Sequence, residues 1–289
     1  MMISQFEIFF IIAFLASFAM FALAVHVSKF RNLPGVNVFM FLLILIGIWT
    51  FSVGIGYLSA TETISYFWSI IRMTAVFLVP VLWLIFSLQY CQIEITRLKQ
   101  LFFYLLIIPS ISLMMMVTNQ AHHLFLKDIV YVQQGRFLID EVWITGQWFY
   151  VHAFYSYGLI LIGDYILLKE AAIRARTYQQ QAFFLFVGAL FPLFTNILFT
   201  FHLIPFLKVN YDPLGFVMTG IFFAFGLFRF KLFDINPLAK KILMQNIDDL
   251  ILVVDEKNRI VEINPAASKH LKIESEQIIG QELSSCLNN

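Results

Sequence analysis

Charged residues are scarce in this sequence: Asp, Glu, Lys and Arg make up 13% of its 289 residues, whereas 60% are hydrophobic. A water-soluble domain with this balance would expose more apolar surface than water tolerates, so the composition indicates a polytopic membrane protein. The net charge is only +1, and the charges are distributed over short loops rather than one basic patch. We therefore expect no nucleic acid among the partners.

Cysteine is almost absent, because the chain contains only Cys91 and Cys286. Two isolated thiols indicate neither a disulfide framework nor a metal site. We accordingly predict no metal and no other cofactor.

The N-terminus lacks the positive charge that precedes the apolar core of a signal peptide. Residues 1–7 carry no Lys or Arg, and Lys29 and Arg31 follow the first apolar run instead. The run from Ile8 to Val25 is long enough to cross a bilayer. We therefore expect a retained first span rather than a cleaved leader.

Long apolar runs are the main feature that the sequence does have. A helix needs about 20 apolar residues to cross the hydrocarbon core. The runs are continuous rather than alternating, which favours helices over the strands of a membrane barrel. The seven predicted spans are residues 5–28, 36–58, 66–90, 101–118, 148–168, 182–204 and 211–229.

Lys and Arg are distributed unequally between the two sets of loops, which predicts the orientation. Because positive residues accumulate in cytoplasmic loops, the bias places the N-terminus outside and the C-terminus in the cytoplasm. The predicted cytoplasmic set is Lys29, Arg31, Arg97, Lys99, Lys169, Arg174, Arg176, Arg229, Lys231, Lys240 and Lys241, and the predicted outer set is Lys127, Arg136 and Lys208.

Two segments do not read as membrane spans. In the outer loop 119–147, β-rich runs at 129–132 and 137–139 flank a short turn with Gly135, which predicts a small hairpin. After the last span, 234–250 has apolar residues on one helical face. Strand, turn, strand and helix patterns follow from 250 to 273.

The tail resembles the beginning of a PAS domain, in DLILVVDEKNRIVEINPAA at 249–267 and SEQIIGQEL at 275–283. That family implies a five-stranded sheet around a pocket, of which the first two strands fall before Asn289. The fold class expected is thus an all-α membrane protein with a seven-helix bundle (N-out, C-in), a small outer β-hairpin and a partial C-terminal α+β PAS fragment. The expected domains are 1–230, a linker helix at 231–248 and the PAS part at 249–289.

The membrane region resembles the seven-transmembrane N-terminal region of bacterial sensor histidine kinases and of some diguanylate cyclases. The resemblance is carried by TNQAHHLF at 118–125, YSYGLILIGDYILL at 155–168, QAFFLFVGALFPLFTNIL at 181–198 and DPLGFVMTGIFFAFGLFRFKLFDINPLAKKIL at 212–243. It implies a sensory input module in the cytoplasmic (inner) membrane of a prokaryote. The module would act as a homodimer on a cytoplasmic output domain or response regulator, and the resemblance implies no particular ligand.

No catalytic residue is assigned to this chain, because it has no phosphoacceptor His motif, no ATP-binding boxes and no cyclase signature. Any enzyme activity is expected in sequence beyond Asn289. A retinal protein would need a Lys in the middle of span seven, and 213–228 contains none. A transporter, the remaining alternative, would show repeats and broken polar helices that are not visible here.

Ionisable and polar residues at membrane depth supply the candidate site residues, since they are costly there and are often functional. Arg72 could be a snorkelling anchor or an anionic-ligand contact. Of His122 and His123, one could cap or tether the outer loop while the other is solvated, or the two could bind zinc or sense pH with Asp128 or His152. The candidate ligand-binding residues are Arg72, His122, His123, Trp148, His152, Asn196 and His202.

Three further expectations concern helix contacts and signal output. Asn196, beside Pro192, is expected to hydrogen-bond a neighbouring helix. Asp164 is expected to pair with Lys169 or to be solvated. The residues expected to transmit the signal out of span seven are Arg229, Phe233, Asp234 and Pro237.

Overall fold

The computed structural model of the chain describes residues 5–93, 96–173, 176–201, 203, 212–230, 232–233, 244, 246–255, 258–271 and 279–281. The chain divides into two compact units, Met1–Phe233 and Asp234–Asn289. The predicted linker helix 231–248 lies mostly outside the described residues.

The first unit is a bundle of apolar helices joined by short connections. In the described residues, seven segments are long and apolar enough to cross a membrane, which confirms the predicted spans. One of them is divided into two helices, and the last one continues into a π-helical turn at Phe225–Arg229. The helices are α1 (Gln5–Val27), α2 (Val36–Tyr57), α3 (Glu62–Tyr90), α4 (Leu98–Leu105), α5 (Ile107–Val117), the short α6 (Asn119–His122), α7 (Gln147–Ala172), α8 (Arg176–Thr200) and α9 (Asp212–Ala224).

The helices form a ring in the order α1, α2, α3, α7, α8, α9, with α9 packed back against α1. Helix α5 lies outside this ring against α3 and α7. Aromatic rings fill much of the interior: Phe39 packs on Phe86 at 4.8 Å and on Phe223 at 5.2 Å, and Trp83 stacks on Phe223 at 6.1 Å. Since lipid gives helices little hydrophobic reason to associate, such close packing holds the ring together.

A β-hairpin covers one end of the ring, which is called the hairpin end below. Strands β1 (Leu126–Gln134) and β2 (Phe137–Thr145) pair antiparallel, with Gln134 opposite Phe137 and Leu126 opposite Thr145. The predicted hairpin is confirmed and is longer at both arms than the pattern indicated. Strand β2 contacts α2 and α3, and Phe137 packs on Phe10 at 5.8 Å.

The base of the hairpin is fixed by buried hydrogen bonds. The Asn119 amide donates to the Leu126 carbonyl at 2.8 Å and accepts from the backbone N–H groups of Phe125 and Leu126. The Gly146 N–H donates to the Phe125 carbonyl at 2.9 Å. A single side chain and one glycine therefore join the loop after α6 to the start of α7.

Asp164 does not behave as expected. Its side chain is 2% exposed, and Trp83 on α3 donates its indole N–H to Oδ1 at 3.0 Å. The expectation of pairing with Lys169 or of solvation is wrong, because the helical phase of α7 turns this carboxyl towards α3 rather than the interface. Gly163 beside it lets Trp83 approach, since a Cβ there would meet the indole at 2.9 Å.

The second unit has the expected PAS-type beginning. Strands β3 (Leu252–Val254) and β4 (Ile260–Ile263) pair antiparallel and are followed by α10 (Pro265–Leu271). The fully buried Asn264 connects these pieces: its amide donates to the carbonyls of Ile247 and Asp249, and its oxygen accepts from the N–H groups of Ile251 and Ala267. It acts as the N-cap of α10.

The glycine at the hairpin base gives a stability prediction. We expect Gly146→Ala to destabilise the bundle by about 2 kcal/mol, because its Cβ would collide with the Leu124 carbonyl, which belongs to the backbone and cannot rotate away. Gly158→Ala on α7 is the matched control, since nothing lies within 4 Å of its Cβ position. Thermal unfolding of the purified chain in detergent would measure both, and equal effects would contradict the tight fit at Gly146.

Candidate ligand-binding site

A cavity lies inside the ring beneath the hairpin and has two adjacent chambers. The hairpin-side chamber, about 690 Å³ including its open part, has Arg72, Trp143, His152, Asn196 and Asp212 in its wall. The deep chamber, about 630 Å³ on the same basis, has a more apolar wall that includes Val79, Leu193 and Phe216. Trp49, Val76, Ser156, Tyr157 and Asn196 line both chambers, so the two are adjacent. The space that water can reach is about 70 Å³ in the first and about 80 Å³ in the second, which is room for several water molecules.

A buried ion pair lies at the hairpin side of the cavity. Arg72 on α3 donates from Nη2 to Asp140 Oδ2 on β2 at 2.7 Å, and each side chain is 6% exposed. Trp143 donates its indole N–H to the same carboxylate oxygen at 2.9 Å, and the Arg72 guanidinium lies 4.6 Å from the Trp143 ring centroid. The carboxylate and the ring together compensate the guanidinium charge.

This pair corrects one interpretation of Arg72. A snorkelling side chain would carry its charge to the interface, whereas Arg72 is 5% exposed and faces the hairpin. The alternative, a contact to an anionic ligand, stays a prediction, and the guanidinium that lines the cavity already has a carboxylate partner.

His152 and Trp148 belong to one hydrogen-bond network. The Ser112 hydroxyl accepts from the Trp148 indole N–H at 3.0 Å and lies 2.9 Å from His152 Nδ1, and the Ile108 carbonyl is 2.8 Å away. The other ring nitrogen of His152, Nε2, lies 2.9 Å from the Ser156 hydroxyl. Both ring nitrogens are thus engaged by serines of α5 and α7, and neither is free to bind zinc.

Asn196 joins three helices. Tyr157 on α7 donates to Asn196 Oδ1 at 3.0 Å, and Asn196 Nδ2 lies 3.5 Å from Asp212 Oδ2 at the start of α9. The expected helix–helix hydrogen bond is confirmed. Arg72, His152 and Asn196 therefore share one cavity, although they are distant in sequence.

The two adjacent histidines lie elsewhere. His122 accepts from the Leu124 N–H through Nδ1 at 3.0 Å and pairs with Thr118 through Nε2, whereas His123 is exposed. The interpretation of one tethering and one solvated histidine is confirmed. Among the described residues, no group of three His, Cys, Asp or Glu side chains could hold a metal ion.

His123 lines a separate groove over β1, together with Asn119, Asp128 and Tyr131. Burial raises the pKa of Tyr131 to about 12, and the negative charge of Asp140 acts in the same direction. The Tyr131 hydroxyl therefore stays protonated at physiological pH and contributes no charge to this groove.

The predicted signal-transmitting residues are only partly described. Arg229 ends the π-helical turn and is exposed, while Phe233 is 6% exposed and packs on Phe39 at 5.7 Å and on Phe30 at 6.5 Å. His202, Asp234 and Pro237 lie outside the described residues.

Sequence reasoning missed Asp140, Ser112 and Trp49. An intramembrane arginine needs a counter-charge, so Arg72 could have prompted a search among the acidic residues on its side of the membrane. Nothing in the sequence pattern identified Ser112, which is one of several small residues in an apolar helix. Trp49 falls within the predicted span 36–58, and nothing in the sequence pattern distinguishes it there.

The fold and the cavity define a class: a multi-pass membrane protein with a ring of helices around an internal site, followed by a PAS-type unit. The model of the family described as N-terminal 7TM region of histidine kinase matches residues 9–237, and the PAS fold matches residues 241–288. The chain belongs to the family of this N-terminal 7TM region. No curated protein and no solved structure matches it.

The family match confirms the expected function. The chain is a membrane-embedded input module of the sensor histidine kinase type, which belongs to signal transduction through a downstream kinase and response regulator. The alternatives considered from the sequence, a cyclase input module and a transporter, are not favoured by these matches.

The ion pair predicts that removing both charges destabilises the bundle less than removing one of them. Removing one partner leaves a buried charge uncompensated, so we expect Arg72→Met and Asp140→Asn each to destabilise the bundle by about 3–5 kcal/mol. The double variant removes both charges and keeps an acceptor for Trp143, so we expect it to be more stable than either single variant.

The exposed pair Arg136–Glu7 serves as the control, with an N–O distance of 3.5 Å and side chains 66% and 36% exposed. Arg136→Gln should change stability by less than about 1 kcal/mol. Thermal unfolding in detergent measures all four proteins. A double variant that is less stable than both singles would contradict the assigned pairing.

Proposed function

We propose that the stimulus acts at the cavity and is passed to the PAS unit by α8 and α9 moving as a pair. The supporting observation is that Asp212, the first residue of α9, stands in the cavity wall and is hydrogen-bonded to Asn196 of α8. Span seven is also the segment that leads along the chain to the PAS unit. A change in cavity occupancy therefore acts directly on the helix that leaves the bundle.

Two more hydrogen bonds support treating α8 and α9 as one body. Midway along the pair, Thr219 donates to the Gly188 carbonyl at 2.7 Å. At the end away from the hairpin, Gln181 of α8 donates to the Phe230 carbonyl at 2.7 Å and accepts from Tyr90 of α3 at the same distance. Displacement at the cavity thus reaches the residue that follows the π-helical turn.

The energy required of a stimulus is modest. If the α8–α9 pair has two arrangements, the stimulus must favour one of them over the other. Couplings of this kind typically amount to about 1–3 kcal/mol. We further propose that the module acts as a homodimer, that a small molecule or a membrane change is the stimulus, and that it works in the cytoplasmic membrane of a prokaryote.

The coupling can be tested in a fusion of this chain to the remaining PAS strands and kinase core of a characterised sensor kinase. We expect Asn196→Ala to change stimulus-free autophosphorylation by about fivefold, because it releases Asp212 from α8 and shifts an equilibrium worth about 1 kcal/mol. Phe194→Ala on the same helix is the control, since Phe194 is 62% exposed on the bundle surface. An Asn196 variant that inserts normally and matches the wild-type rate would overturn the proposed route.

The proposed orientation, with the hairpin outside and the PAS unit in the cytoplasm, has its own test. Alkaline phosphatase inserted at Gly135 should be active, because this enzyme forms its disulfides only outside the cytoplasm. A fluorescent protein fused after residue 289 should fluoresce in the same cells. Gly135 tolerates the insertion, since nothing packs within 4 Å of its Cβ position. An inactive phosphatase at this site would contradict the proposed orientation and place the hairpin in the cytoplasm.

A further inference from the structure

The cavity contains a hydrogen-bond donor that is not used. Trp49 on α2 is 6% exposed, packs edge-to-face on Phe216 at 4.8 Å, and lines both chambers. Its indole N–H, which can only donate, has no acceptor among the described residues. Buried N–H groups without a partner are rare in native proteins, so each one calls for an explanation.

The other polar groups of the wall show how unusual Trp49 is. Trp83, which also lines the deep chamber, donates to Asp164. Arg72 is paired with Asp140, His152 with two serines, and Asn196 with Tyr157 and Asp212. Of these cavity side chains, Trp49 is the one whose donor points to no partner.

These contacts restrict what the cavity can hold. A buried anion would compete with Asp140 for Arg72, and it would also meet the Asp212 carboxylate in the same wall. An anion would therefore lose its hydration without gaining a free counter-charge. The deep chamber is mostly aliphatic and aromatic, with Val79, Leu193 and Phe223 in its wall.

We propose that the two chambers form a binding site for an uncharged, largely apolar molecule whose carbonyl or ester oxygen accepts a hydrogen bond from Trp49 Nε1. The apolar body fills the deep chamber, and the oxygen lies beside Trp49, where the two chambers adjoin. The source of this chemistry is either a diffusible ketone or ester, or the ester-linked chain of a membrane lipid. The inference deepens the proposed function by naming the ligand class, and its test does not depend on signal output.

Three probes of equal chain length test it: nonane, 2-nonanone and nonanoate, added to the purified chain in lipid-free detergent with ¹⁵N-labelled indoles. We expect 2-nonanone to shift the Trp49 indole proton downfield in a saturable way, and nonane and nonanoate to leave it in place. The resonance is assigned by its loss in Trp49→Phe. Trp68→Phe is the matched control, because Trp68 lines neither chamber.

The Phe variant also tests the hydrogen bond by affinity. Trp49→Phe keeps an aromatic ring against Phe216, although a smaller one, and removes the donor, so we expect it to bind 2-nonanone about fivefold more weakly, which corresponds to one hydrogen bond. Nonane binding should be the same in both proteins. If ketone and alkane bind equally to the wild type, or if nonanoate binds better than the ketone, the proposal is wrong.

Reconstitution distinguishes the two sources. A Trp49 indole proton already shifted in nanodiscs of diester phosphatidylcholine, without ketone, identifies a lipid chain as the occupant. A shift that requires the ketone in nanodiscs identifies a diffusible molecule. Absence of a shift under every condition overturns the site. A ketone-dependent shift without any change in fusion autophosphorylation would instead overturn the proposed function and leave the site standing.

Discussion

The buried ion pair between Arg72 and Asp140 constrains both the bundle and the hairpin. A lone guanidinium inside a bilayer region is costly, so α3 can hold Arg72 at this depth only if a carboxylate comes to it. Strand β2 brings that carboxylate, and a slip of one residue in its register would turn Asp140 to the opposite face. The ion pair therefore fixes the register of the hairpin and the depth of α3 together. These two elements then form the hairpin-side wall of the cavity.

The α8–α9 interface is built for close approach. A Cβ on Gly215 would lie 2.6 Å from the Thr195 hydroxyl and 3.0 Å from Pro192 Cα, and a Cβ on Gly188 would meet the Phe223 ring at 2.7 Å. Small residues let the two backbones come near enough for Thr219 to reach a carbonyl of the other helix. By contrast, the cavity lies between this interface and parts of α2 and α3, although Phe223 still packs on Phe39 and Trp83. The bundle is thus tightly joined where we propose rigid movement and loosely filled where we propose the stimulus acts.

The predictable part of this structure is the part that local chemistry decides. Seven spans follow from run length, and the hairpin follows from β-rich runs around Gly135. Asn196 could be predicted to bond a neighbouring helix because the polar amide has no other partner in an apolar segment. The identity of Arg72's partner could not, because Glu7, Glu62, Asp128, Asp140, Glu141 and Asp212 all precede or follow spans on the same side.

Rotation about a helix axis explains the misjudged residues. Asp164 lies close enough in sequence to Lys169 to suggest a pair, yet the contacts of α7 with α3 decide which way it points. For the same reason, the sequence alone could not decide whether Arg72 turns to the lipid or to the interior, where it meets Asp140. The unpaired indole N–H of Trp49 could not be predicted from the sequence, because it is recognised only when the surrounding side chains are known.

The bilayer itself determines which interaction can select a ligand here. A molecule that enters the cavity from lipid gains almost no hydrophobic free energy, since acyl chains are as apolar as the chamber wall. Packing shape and hydrogen bonding are then the terms that remain. A ligand oxygen finds few hydrogen-bond donors in lipid. A hydrogen bond from Trp49 Nε1 therefore favours binding from lipid more than it would favour binding from water. One hydrogen bond of about 1 kcal/mol reaches the lower end of the range that a two-state coupling needs.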